Sequence, residues 1–155
     1  MSGIKSVLLA IHVATLRRDQ AAAMLTHMQQ AQAQAQGQMA QLQSYADETQ
    51  TRWSAAAQTS VSTELMRHHY QFMDRLHQAI GLQQGVLQQA ASKVERARSH
   101  WLETESRLTG LKQVLKQKQA ELDLVQARRE QKQMDEFAAM QSRRRALQTL
   151  QEDSR

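Results

Sequence analysis

No proline interrupts the 155 residues of this chain, and a mostly apolar three-four spacing runs along much of it in two stretches. Loops and turns of that total length normally use proline, whereas the interior of a helix excludes it for want of an amide donor and for its clash with the preceding turn. Long helices are therefore expected, with few breaks between them. Composition agrees: 26 glutamines stand beside abundant Ala, Leu, Arg and Glu, the mixture typical of long helices and coiled coils. Two Trp, two Tyr and two Phe supply too few large side chains for a thick core, so a narrow helix–helix interface is the expected interior.

The heptad template fits in two stretches. The first runs through Ile4, Val7, Ile11, Ala14, Arg18, Ala21, Leu25, Met28, Gln32, Ala35, Met39, Leu42, Ala46, Thr49 and Trp53. The second restarts at Met66 and continues through His69, Met73, Leu76, Ile80, Gln83, Leu87, Ala90, Val94, Ala97, Trp101, Thr104, Leu108, Leu111, Leu115, Lys118, Leu122 and Val125. Between them lies Gln58-Thr-Ser-Val-Ser-Thr-Glu64, whose clustered hydroxyls compete with the helical backbone and can cap a following helix ahead of an acidic first turn. The alternatives are a helix that runs through this segment and pairing with a second chain in place of folding back. The favoured fold is all-α: a single-domain, long antiparallel two-helix coiled-coil hairpin, with helix one over about 4–57, a turn over about 58–63 and helix two over about 64–150. The period-two Ala-Gln stretch over 31–38 stays in seam register and is read as helix. Gly81, Gly85 and Gly110 fall inside the second seam, where each costs about 1 kcal/mol relative to Ala; they mark a bend or the close approach of a partner.

With the turn near residue 60, antiparallel pairing sets Ile4 opposite roughly residue 116. About 35 residues, roughly 50 Å of helix at 1.5 Å per residue, then overhang without a partner in the chain. That overhang carries Leu122, Val125, Met134, Phe137, Met140, Leu147 and Leu150, which argues for another protein there. A second surface emerges from the g positions of the heptad, which usually hold solvated charge. Here helix two has Leu65, Phe72, Ala79 and Val86 at g, and helix one has Gln38 and Tyr45. The two g rows share one flank of an antiparallel pair, so Tyr45 and Gln38 should meet Phe72 and Ala79, ending where Lys93, His100 and Arg107 take over. This strip is either a docking face or a widened core closed by a bend at the glycines.

Chemistry-bearing patterns are few. The chain has no cysteine, so disulfides, thiolate metal sites and thiol nucleophiles are excluded; a cytoplasmic setting is expected. The apolar run Val7–Ala14 is broken by His12 and followed by no small-x-small cleavage site, and no run of roughly 20 apolar residues could cross a membrane. The six histidines include no i, i+4 pair, and adjacent His68 and His69 project about 100° apart on a helix, so no metal is expected. No phosphate-cradling loop or nucleophile elbow is present; no catalytic residue, cofactor or enzyme activity is expected. The net charge of +5 is concentrated in Arg17 and Arg18 and in Arg128, Arg129, Lys132, Arg143, Arg144 and Arg145. Such clusters attract phosphate, but without base-reading or stacking residues an acidic protein surface is the better-matched partner; a basic coiled-coil nucleic-acid binder remains the alternative from a different class.

The segment Arg129-Glu-Gln-Lys-Gln-Met-Asp-Glu-Phe-Ala138 resembles the C-terminal signature of the FliJ family, small coiled-coil components of the flagellar type III export apparatus. Tyr45, Tyr70-Gln71-Phe72, Leu76, Ala79-Ile80 and Trp101 also resemble that family. The resemblance implies a nonenzymatic hairpin similar to the central stalk of rotary ATPases. The end with both termini, including Ile4, Val7, Leu122, Val125, Met134 and Phe137, would enter the hexameric ring of the export ATPase. The flank carrying Gln38, Leu42, Tyr45, Phe72, Leu76 and Ala79 would meet the cytoplasmic domain of the membrane export gate. Export chaperones are further implied partners, and the implied location is cytoplasmic, peripheral at the inner face of the cell membrane. Thr49 and Gln83 stand where the family pattern favours an aromatic and a histidine. The equivalent stalk protein of a virulence injectisome would share this mechanism.

Overall fold

The computed structural model describes residues 2–155 and consists of two helices, α1 (Ser2–Ala57) and α2 (Thr63–Asp153). Among the described residues there is no strand. α2 passes through Gly81, Gly85 and Gly110 without a break.

The turn forms where the hydroxyls cluster. The last turn of α1 is closed by Thr59, whose backbone N–H and Oγ1 hydroxyl both donate to the Ala56 carbonyl at 3.1 and 2.8 Å. Ser62 caps α2: its Oγ accepts from the Leu65 N–H at 3.2 Å, its carbonyl accepts from the Met66 N–H, and Glu64 adds a carboxylate to the first turn. The cap satisfies otherwise orphaned amides, and the carboxylate complements the positive end of the helix dipole. Ser60 makes the reversal with φ 132°, a left-handed conformation that favours glycine.

The chain divides into two compact units, residues 14–107 and residues 1–13 with 108–155. In the first, the two helices run antiparallel and pack through the seams. Every seam position of α1 from Ala14 to Trp53, and of α2 from His69 to Thr104, is buried or half-buried. Ala46, Met73 and Leu76 form a buried cluster against which Leu42 and Ile80 pack. Cross-helix contacts are symmetric about the turn near residue 60. Trp53 stacks on His69 with ring centroids 4.1 Å apart and planes 6° from parallel. Gln83 donates through Nε2 to the Ala35 carbonyl at 2.9 Å and to Gln38 Oε1 at 3.2 Å. Arg18 reaches Glu105 at 3.6 Å and Asp19 at 3.0 Å.

In the second unit the covered residues again fall at three-four spacing. Val7 and Leu108 are buried, and Ile4, Ile11, Leu111, Leu115 and Lys118 are half-buried. The Lys118 Nζ sits 3.0 Å from where a Cβ on Gly3 would lie. From Glu121 onward every residue is exposed. In residues 14–107 the buried positions of α1 are Ala14, Ala21, Ala35, Met39 and Ala46, mostly alanine, so the interface there is narrow, as a two-helix pair with few aromatics must be.

Candidate functional site

Two surfaces stand out, one in each unit. In residues 14–107, Tyr45 and Phe72 meet edge-on with centroids 5.9 Å apart and planes 82° apart, a favourable arrangement for ring quadrupoles. They remain 50% and 39% exposed, because g positions lie beside the seam and not within it. Gln38 is exposed and Ala79 half-buried on the same flank. Leu76 is buried and Leu42 half-buried; both belong to the seam and support the surface from beneath. Gln38, Tyr45, Phe72 and the edge of Ala79 are therefore the parts of this flank open to solvent. Nearer the turn, His69 contacts Tyr70 edge-on at 5.8 Å, extending the row of rings begun by Trp53.

The seam pattern places His69 and Gln83 on the buried side of α2 but does not specify their contacts. His69 shares the seam with Trp53 across the turn and stacks on it. Gln83, a polar residue at a seam position, carries the side-chain bond to the α1 backbone that fixes axial register. Likewise Arg18 is engaged within the helical pair, so it contributes less to a free basic surface than its sequence neighbours suggested.

The second surface is the unpaired length of α2. Gly3, Ile4, Lys118, Glu121, Leu122 and Val125 line a shallow depression where α1 begins. Val7 lies buried behind it. Beyond, Met134, Phe137 and Ala138 line a second shallow depression with Glu130, Gln133 and Gln141. At about 100° per residue, Leu122, Val125, Met140, Leu147 and Leu150 fall on one side of the helix. Met134, Phe137 and Ala138 fall on the other, rotated by more than a third of a turn. Arg143, Arg144 and Arg145 project in three successive directions, covering about 200° around the axis. Among the described residues, none of Arg128, Arg129, Lys132 or these three arginines pairs with a carboxylate.

Among the described residues no three His, Asp or Glu side chains gather in a metal-holding group, and no described helix is long and apolar enough to cross a membrane. A family model described as flagellar FliJ protein matches residues 9–147. The chain belongs to the FliJ family. No curated protein and no solved structure gives a significant match. FliJ-family membership makes the chain a flagellar export-related coiled-coil protein of a nonenzymatic family. The match takes in the whole Tyr45–Phe72 flank and most of the unpaired length of α2.

Proposed function

We propose that this FliJ-family chain is a nonenzymatic coupling component of the export apparatus, joining the ring of the export ATPase to the cytoplasmic domain of the export gate. The observation that carries this reading is the helical stretch from Glu121 to Asp153, exposed throughout with apolar residues on more than one face. An isolated helix gains most of its stability from packing, and one that is apolar on several sides suits an enclosing partner better than a single neighbouring helix. The arginines at 143–145 place positive charge over more than half of the circumference of that helix. An enclosing ring of subunits with an acidic inner surface would supply both enclosure and countercharge. Ile4, Val7, Leu122, Val125, Met134 and Phe137 are the apolar side chains of that end; Val7 acts by holding α1 against α2.

At the other surface, Gln38, Tyr45 and Phe72 with Ala79 offer a compact face for the gate domain, with Leu42 and Leu76 keeping the two helices in register beneath it. The protein would work at the inner face of the membrane through the gate and not by insertion, with export chaperones as further partners. Removal of the residues after Val125 tests the ATPase contact. Association of the truncated chain with the purified ATPase is expected to be lost while far-UV circular dichroism still reports a helical pair. Retained association would place the contact elsewhere.

A further inference from the structure

The flank that carries Gln38, Tyr45 and Ala79 belongs to a wider zone without charge, and Phe72 lies just beyond its end, on the turn side of Asp74 and Arg75. α1 has no Asp, Glu, Lys or Arg over residues 20–46, and α2 has none over residues 76–92. Because the helices pair symmetrically about the turn, 76–92 lies level with the middle of 20–46, and the uncharged zone extends around the whole pair for about 25 Å. Charges return on both sides, at Asp47, Glu48, Asp74 and Arg75 toward the turn and at Arg17, Arg18, Lys93 and Glu95 away from it.

Within this zone α2 carries a second apolar row. Ala79, Leu82 and Val86 repeat the three-four spacing about 100° around the helix from the buried seam. Leu82 is 76% exposed and Val86 is 46% exposed. Beside them a groove opens between the helices, lined by His27, Met28, Ala31 and Ala35 of α1 with Val86, Gln89 and Ala90 of α2, and by Lys93 at the charged end of the zone. The alanines create it, because their side chains stop at Cβ and leave the furrow between the helices unfilled. A helix with two seams normally lies between two helical neighbours, and only the first seam has one here.

Resting on the gate reading above, we propose that the gate-facing surface extends from Ala79 through Leu82 and Val86 to the edge of this groove at Ala31 and Ala90. The occupant is an amphipathic helix of the gate's cytoplasmic domain whose contacting face is apolar and free of charge over about 25 Å. Between Arg75 and Lys93 a charged face would lose hydration without finding a countercharge, which selects an uncharged one over that length. The contact is driven by apolar burial and is insensitive to ionic strength, unlike any contact made by the arginine-rich end of α2.

The experiment measures binding of the full-length chain to the purified cytoplasmic domain of the gate, comparing the natural sequence, Leu82→Gln with Val86→Gln, and Phe72→Ser. Since Leu82 and Val86 are exposed, the melting temperature should be unchanged in the double variant. Its affinity should fall about tenfold or more, and affinity of the natural chain should change less than about threefold between roughly 50 and 500 mM salt. Loss of binding in Phe72→Ser with none in Leu82→Gln/Val86→Gln would overturn the extension and leave the gate reading in place. A steep fall with salt would overturn the uncharged contact. Binding undetectable in the natural chain, or indifferent to both variants, would overturn the gate reading and the extension together.

Discussion

Residues 63–118 of α2 and residues 121–153 are parts of one continuous helix, yet they use their apolar side chains in different ways. In the first, the residues that repeat at three-four spacing from His69 to Lys118 are covered by α1. In the second, Met134, Phe137 and Ala138 leave that line and occupy other faces, and no part of the stretch is covered. A single stripe is enough to bury a helix against one neighbour; distribution around the axis prepares it for surroundings. The difference teaches that the paired stretch carries the stability of the fold and the unpaired stretch is available for association.

The largest expected effect separates the two directly. Leu108 is 2% exposed and Phe137 62%. Leu108→Ala should cost about 2–4 kcal/mol in urea denaturation, toward the lower end if water enters the narrow interface. Phe137→Ala, though it removes more atoms, should stay within about 0.5 kcal/mol. Equal losses would break the comparison, since they would mean that Phe137 is covered in solution.

Smaller effects sharpen the account of the paired stretch. Ser60→Gly relieves a left-handed backbone and should raise stability by about 1 kcal/mol. Gly81→Ala and Gly85→Ala should each raise it by up to about 1 kcal/mol, because an added Cβ meets nothing within 4 Å at either site. Failure of both glycine changes to stabilise the free chain would point to a local bend that the added methyl opposes. The smallest effect belongs to Arg18 and Glu105, whose side chains are 30% and 38% exposed. A double-mutant cycle should find less than about 1 kcal/mol of coupling, diminishing with salt.

Much of this architecture was legible because the seam is a one-dimensional pattern. Once the spacing through Ile4 to Trp53 and His69 to Lys118 is laid out, the turn position sets which residues lie level. Tyr45 against Phe72 follows from the g rows alone. Met66, Leu122 and Val125 fit the pattern but are exposed: the first lies beside the turn, and the other two lie where α1 begins. Whether a seam residue is covered depends on the reach of the facing helix, which periodicity does not encode. For Leu42 and Leu76 the two signals differ: family likeness groups them with Tyr45 and Phe72, whereas their seam positions place them beneath the surface, as the packing has them. The groove at Ala31, Ala35 and Ala90 escaped notice because small residues at helical positions read as good helix formers, and their missing volume matters only when two helices face each other.

The division between a self-supporting pair and a partner-directed stretch is tested most directly by amide hydrogen exchange of the full-length chain, alone and with the purified export ATPase. In the free chain, amides over about 126–150 should exchange far faster than those over 70–115, because no tertiary packing opposes local opening. Addition of the ATPase should protect the first set and leave the second nearly unchanged. Protection over 126–150 already equal to that of the paired stretch in the free chain, or no gain with the ATPase, would contradict the account.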